Sequence, residues 1–351
     1  MVASPAMICG STRIKVSYTT GHVDWTGVRP LPAPDHSPVA GDLVLARVDA
    51  VGHHKVLESP GGRRTTLFPG DRIVVPYGHR YATDQYEALV PGDWDACHLV
   101  AGGGVASRVI SANAAMGAPT AIEPIGPVGV ASGRQLNLRD FALAMPPVPA
   151  HRPFTIASVG TAMNSGKTFS AASLIRGMTA AGLRVGAAKV TGTGAGKDLF
   201  LFSDSGADPV LDFTAAGYAS TYLATTDQIL AIADLLVARL TAAGVDAIVL
   251  EVADGVYQQE TAEVLPSARF RHLVDGYMFS AGDALGGVAG VRWLQEHGLP
   301  VVGVSGVLST SQLTMTEVRQ ATNVEVFDTM TLADPSILYA LQWQAVRTVA
   351  A

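Results

Sequence analysis

The sequence predicts an α/β protein: a C-terminal domain with a mostly parallel sheet and flanking helices, preceded by a smaller β-rich barrel or sandwich domain. Three observations lead there. From Phe154 onward, apolar β-branched runs alternate with helical segments, and strands that alternate with helices in one sheet run parallel through right-handed crossovers. Before about residue 150 no clear helical period appears, and runs with a period near two are separated by Gly/Pro turns. Between the two lies A-M-P-P-V-P-A-H-R-P, Ala144 to Pro153, which can continue neither a helix nor a central strand. The expected division is a β-rich domain over 1–145, a proline-rich linker over 146–153 and the α/β domain over 154–351.

Composition narrows the function classes. A chain of 351 residues can bury two cores, and 48% hydrophobic against 15% charged residues describes a folded protein. A net charge of −6 gives no electrostatic reason to bind nucleic acid or an anionic membrane. Cys9 and Cys97 make neither a disulfide framework nor a zinc cluster. The N-terminus does not read as a signal peptide, and the longest apolar segment, Ile229 to Val252, is broken by Asp234, Arg239 and Asp246. A cytoplasmic protein without nucleic-acid or membrane partners is expected.

In the first domain, Leu43 to Val51 and Arg72 to Tyr77 read as strands, each announced by Gly-Asp (Gly41-Asp42 and Gly70-Asp71), with a turn at Ser59 to Gly62. The polar stretch Gly78 to Glu87 has two readings. Arg80 and Tyr81 either grip an anionic group or dock onto the second domain, or the stretch is a solvated loop. His53 and His54 are adjacent, so on a strand they face opposite ways, and with His79 and His98 they complete no metal-ligand spacing. Gly102 to Gly104 reads as a turn or a close backbone contact.

The second domain opens on F-T-I-A-S-V-G-T-A-M-N-S-G-K-T-F, a strand, a small-residue loop and then good helix formers. Small residues let backbone N–H groups converge on an anion, and the helix N-terminus adds its positive end. Lys167 followed by Thr168 is the pairing that reaches the β/γ-phosphates and holds Mg²⁺ in a nucleotide-binding P-loop. The first glycine, Gly160, comes one residue earlier than in G-x-x-x-x-G-K-[ST], because Thr161 stands at the usual place. Gly160, Thr161, Asn164, Ser165, Gly166, Lys167, Thr168 and Phe169 are therefore the candidate nucleotide-binding residues, with ATP and Mg²⁺ as cofactors.

That longer loop, G-T-A-M-N-S-G-K-T, resembles the G-T-x-T-x-V-G-K-T loop of dethiobiotin synthetase and its relatives. These form a P-loop branch that also holds the cobyrinic acid synthetase-type and MinD-type proteins. The resemblance covers the C-terminal half only. Met163 replaces the family's second Thr, and no early-loop lysine of the MinD type is present. In that family a lysine just after the second strand holds the substrate's carboxylate or phosphate, and Lys189 sits at the matching place. An Asp in the following stretch meets Mg²⁺, and Asp204 and Asp208 bracket the expected spacing, with Asp198 and Asp212 as further candidates. The resemblance also implies a homodimer.

After a helix from Thr225 to Gly244, V-D-A-I-V-L-E-V-A-D-G is a buried strand ending in acid, the form of a Walker B strand. Glu251 is read as metal-associated and catalytic together with Lys167 and Lys189, and Asp254 as a metal or substrate contact. Further strands fall near Val274 to Phe279, Pro300 to Val304 and Val324 to Phe327. Helices fall near Asp283 to His297, Thr314 to Ala321 and Pro335 to Val346. The loops Ser280 to Asp283 and Val304 to Val307 are where related enzymes read the base, and without an N-K-x-D signature adenine is favoured. The expected function is a Mg²⁺-dependent ATP-using enzyme that phosphorylates or ligates a small carboxylate-containing substrate. The alternative is a nucleotide-hydrolysing switch or chaperone that acts on a protein partner, and a third reading makes the loop a relic.

Overall fold

The computed structural model describes residues 7–9, 12–147 and 151–341. Part of the expected linker (148–150), the end of the expected last helix (342–346) and the Cys9 side chain lie outside what is described. The chain folds as two compact units. One comprises Met1–Leu143 with Gly192–Lys197 and Phe213–Leu223, and the other Ala144–Thr191, Asp198–Asp212 and Ala224–Ala351.

Among its described residues the first unit carries strands and three short 3-10 turns, at Tyr18–Thr20, Leu138–Phe141 and Phe213–Ala216. Its strands are β1 (Met7–Cys9), β2 (Thr12–Val16), β3 (Arg29–Pro30), β4 (Leu43–Ala50), β5 (Val56–Glu58), β6 (Arg64–Thr66), β7 (Arg72–Pro76), β8 (Arg80–Tyr81), β9 (Tyr86–Leu89), β10 (Cys97–Ala101), β11 (Val105–Ala112) and β12 (Thr120–Gly129). Among the described residues, the main sheet runs β1-β2-β7-β4-β12-β10-β11-β9-β8, with β3 on β12 and a separate β5-β6 hairpin. A bridge between Tyr77 and Ala106 curls β7 back beside β11, so the sheet bends toward a barrel. The period of two places alternate residues in two cores: Val44, Ala46, Val48, Ile73 and Val75 line one, Leu43, Leu45 and Val74 the other.

The Gly-Asp pairs act as the sequence predicts for turns. Gly41 and Gly70 have φ of +93° and +88°, which glycine adopts at no steric cost. Asp42 then accepts from Val39 N (2.9 Å), and Asp71 from Phe68 N (2.7 Å). Gly103 lies in the β10–β11 turn, and a Cβ there would stand 2.0 Å from Gly194 O, a close backbone approach. Of the two readings of the polar stretch, the structure supports neither an open grip nor a solvated loop. Gly78 to Glu87 forms the β8–β9 hairpin, Arg80 is turned inward with its Nη2 donating to Gln85 Oε1 (2.8 Å), and Tyr81 packs on Tyr222. Burial pushes the Cys97 thiol up to about 12, as for a structural core cysteine.

The second unit is the expected α/β domain. β13 (Phe154–Gly160) leads into α1 (Lys167–Ala180), followed by β14 (Val185–Lys189), α2 (Lys197–Asp204), β15 (Val210–Asp212), α3 (Thr226–Ala242) and β16 (Ala247–Glu251). Then come α4 (Gln259–Val264), α5 (Ala268–Leu273), β17 (Gly276–Ser280), α6 (Ala284–Glu296), β18 (Val301–Ser305), α7 (Gln312–Thr322), α8 (Thr329–Ala333) and α9 (Ile337–Ala340). The strand order is β15-β14-β16-β13-β17-β18, with every pairing parallel. β16 and β17 are buried along their whole length, as strands covered on both faces are. A Thr225/Gln228 capping box starts α3, and Asp283 caps α6. Val324 to Phe327, expected as a strand, makes only a bridge of Val326 to Val304.

Candidate functional site

β13 is central in the sheet, so its carboxyl end opens among the loops of β14, β16 and β17, where parallel sheets place ligands. The loop leaving it is held from three sides by backbone hydrogen bonds. Val256 N donates to Gly160 O (3.1 Å), Thr161 N to Ser280 O (3.0 Å) and Val307 N to Ser165 O (3.1 Å). The approach is too close for side chains: a Cβ on Gly255 would stand 1.9 Å from Thr161 O, and one on Gly306 2.4 Å from Ser165 O. Asn164 (φ 62°) and Gly166 (φ 100°) turn the chain into α1, whose first N–H groups have no acceptor within the helix. The result is a preformed anion cradle at the positive end of a 14-residue helix.

Lys167 is 6% exposed, and its Nζ donates to Ala162 O at 2.7 Å, back across the loop. Burial pulls its ammonium below the usual lysine range, opposed by Glu251 and Asp254. Ser158 Oγ donates to Lys167 O (3.1 Å), which pins the helix start to β13. Thr168 is half-buried beside it, while Phe169 is 61% exposed on the first turn.

Parallel register aligns Ser158, Glu251, Lys189 and Asp212 in one row across four strands. Lys189 Nζ bonds Asp198 Oδ2 and lies 3.1 Å from Glu251 Oε1. Burial pulls the Lys189 ammonium down, but Glu251 and Asp198 together outweigh it, and the net direction is up. Glu251 is 2% exposed, and its Oε2, like Ser165 Oγ, is buried without a hydrogen-bond partner. Asp254, with φ 64°, follows in the turn after β16.

Of the acids named from sequence, Asp198, Glu251 and Asp254 lie close enough to act on Lys167 electrostatically. Asp204 and Asp208 do not join them. α2 carries the chain away from the site, Asp204 ends that helix in solvent, and Asp208 N donates to Val185 O at the opposite, amino end of β14. Asp198 is among the four acids the sequence offers, and the signal that singles it out is its place at the start of the helix after β14, since a first-turn residue stays near the strand end.

The donor set fits Mg²⁺. Thr168, Glu251 and Asp254 offer hard oxygen atoms that would hold the ion, and the unpartnered Glu251 Oε2 is a buried oxygen that an ion or its water would satisfy. Among the described residues, no group of three or more His, Cys, Asp or Glu side chains forms a metal cage. An ion held mainly by phosphate oxygens and water needs none.

Beside the loop, an open pocket of about 520 Å³ is lined by Gly282, Asp283, Ala284, Leu285, Val307, Leu308, Thr310, Ser311, Thr314 and Glu317. Among its lining residues is Val307, whose backbone N–H donates to Ser165 O of the loop. The strand order, the glycine-clamped loop and the buried Lys167 decide the fold.

The second unit has the parallel α/β fold with a phosphate-type loop that the sequence predicts. Solved structures that match the chain include the signal recognition particle 54 kDa protein of Aeropyrum pernix K1 in complex with GDP (15% identity, TM-score 0.40, 57% of this chain) and the cell division protein FtsY of Thermotoga maritima (16%, 0.40, 58%). A third is the signal recognition particle receptor FtsY of Elizabethkingia anophelis in complex with GDP (14%, 0.37, 54%). The chain spans 49% of the first structure's length, 74% of the second's and 65% of the third's. No family model matches the chain, and no curated protein matches it.

The expectation of an ATP-dependent ligase or kinase acting on a small carboxylate is corrected here. Lys189, which was to hold the substrate, is already engaged by two of the protein's own carboxylates. The small-molecule partner falls with that role.

Proposed function

We propose that the P-loop domain is a nucleotide-hydrolysing switch that binds a guanine nucleotide with Mg²⁺ and acts on a protein partner. The observation that carries this reading is the glycine-clamped loop that closes on the buried Lys167 at the start of α1, while the protein's own Asp198 and Glu251 hold Lys189. That loop is machinery for a nucleotide. Backbone N–H groups and Lys167 receive the phosphates, Thr168 and Glu251 attend the metal, and bound Mg²⁺ neutralises phosphate charge. Hydrolysis through such a site rests on positioning and charge, so slow turnover in isolation and acceleration by a protein are expected.

Guanine is preferred for a chemical reason. Asp283 and Glu317 are among the residues that line the pocket beside the loop, and a carboxylate only accepts hydrogen bonds. Guanine offers N–H donors at both N1 and its 2-amino group, whereas adenine's N1 is itself an acceptor. The sequence expectation of ATP gives way to GTP on that ground. The GDP in two of the matching structures belongs to those proteins.

The test is calorimetric titration with GDP, GTP, ADP and ATP, with and without Mg²⁺, followed by phosphate release from the protein alone. Tighter binding of the guanine pair with slow, acid-independent hydrolysis supports the switch. Preference for the adenine pair removes the base assignment, and release that needs a small carboxylate removes the switch.

A further inference from the structure

Lys189 is an unusual lysine. Its side chain is 13% exposed, it ends a strand at the floor of the site, and its ammonium holds Asp198 on one side and Glu251 on the other. The register pairing of Lys189 with Glu251 fixes this neighbourhood through the backbone, so the contact does not depend on a wandering surface chain. Glu251 is 2% exposed and satisfied on one oxygen only, while Oε2 is buried with no donor. A carboxylate that far from water needs a positive neighbour, and here Lys189 is that neighbour. The same oxygens are those a hard divalent cation would seek.

We propose that Lys189 is a resident stand-in for the divalent cation. It is a positioning residue that neutralises and orients Glu251 and tethers Asp198 while no metal is bound, and it competes with Mg²⁺ for their oxygens. This rests on the nucleotide reading above. It gives the buried carboxylate a counter-charge at every stage, and it makes metal affinity a difference between two cations instead of the full attraction of the acids. The competition also places Asp198, at the start of α2, under the control of whichever cation holds the acids.

The test uses the full chain with GDP present at saturating concentration, since phosphate oxygens supply part of the ion's shell. Wild type, Lys189→Met and Lys189→Arg are melted in EDTA and in excess Mg²⁺, and Mn²⁺ binding is read from the electron paramagnetic resonance of free Mn²⁺. Wild type and Lys189→Arg should respond weakly to metal. Lys189→Met should melt at lower temperature in EDTA, recover with Mg²⁺, and bind Mn²⁺ about tenfold more tightly or better, because a competing positive charge at contact distance is gone. If Lys189→Met does not fold in EDTA, recovery on refolding in Mg²⁺ is the same expected result. Lys189→Met with the metal response and Mn²⁺ affinity of wild type overturns the inference, as does an unfolded variant that metal does not recover. GDP binding separates the two levels. Wild type that binds no nucleotide in either buffer overturns the nucleotide reading, whereas normal GDP binding with an unchanged metal response in Lys189→Met overturns the stand-in alone.

Discussion

The ammonium of Lys167 donates to the carbonyl oxygen of Ala162 at 2.7 Å, so the phosphate loop closes on its own lysine. The bond keeps a nearly buried cation satisfied, and a phosphate would take it over. Lys167→Ala should therefore weaken nucleotide binding by the worth of a charged hydrogen bond, about 1.5–3 kcal/mol, or roughly 10- to 150-fold. Calorimetry with GDP measures it. An unchanged affinity would remove Lys167 from the nucleotide site.

The loop's shape depends on glycines outside it. Gly306 has φ 100°, and a Cβ there would meet Ser165 O at 2.4 Å and Ala281 N at 2.8 Å. Gly306→Ala should cost about 1–3 kcal/mol of stability in denaturant unfolding and lower nucleotide affinity, because the clash pushes the loop directly. Gly61→Ala, where an added Cβ meets nothing within 4 Å and which lies away from the site in the first unit, is the control and should do neither.

How far the site was legible in the sequence follows from what is local. Phe154 to Thr168 and Ala247 to Glu251 carry their own patterns, a strand running into a small-residue loop and a buried strand ending in acid, so β13, α1 and β16 could be read directly. The turn glycines Gly41 and Gly70 were equally plain. β12 was not, because Pro124 and Pro127 interrupt it and its register shifts twice along β4. α4 and α5 are six residues each, too short to show a period, and start on caps at Gln258 and Ser267. The partners of Lys189 were hidden for a different reason. Glu251 meets it through sheet register and Asp198 through the turn into α2, and neither relationship is written in spacing along the chain. The same holds for Gly192–Lys197 and Phe213–Leu223, which pack into the first unit although their neighbours in sequence belong to the second.

Acid should loosen the β unit. Burial, with Arg80 nearby, lowers the His54 pKa from 6.5 to about 4, and its Nε2 lies 2.8 Å from Val100 O. A histidine held neutral in the fold binds fewer protons there than in the unfolded chain. Its contribution is therefore fully present above about pH 6.5 and is lost as pH falls toward 4. The full loss is on the order of 2–3 kcal/mol for this residue. Burial moves His79 and His98 in the same direction. His54→Gln keeps a donor for Val100 and cannot titrate, so its unfolding free energy should fall less between pH 7 and pH 5 than that of wild type. Parallel profiles for the two proteins would show that His54 is not the group responsible.

Glu317 gives the sharpest test of the base assignment because it stands on α7 at the rim of the pocket and caps no helix. If its carboxylate accepts from guanine, Glu317→Gln exchanges a charged acceptor for a neutral amide with one acceptor and one donor group. The loss should be about 1 kcal/mol or more, roughly five- to tenfold in GDP affinity, with ADP affinity unchanged or slightly improved. Asp283 cannot be tested as cleanly, since its Oδ1 accepts from Gly286 N (2.7 Å) and its removal would also uncap α6. The ratio of GDP to ADP affinity in wild type and Glu317→Gln is therefore the measurement to make. A ratio that stays constant would move base recognition away from α7, to the backbone of the loops after β17 and β18.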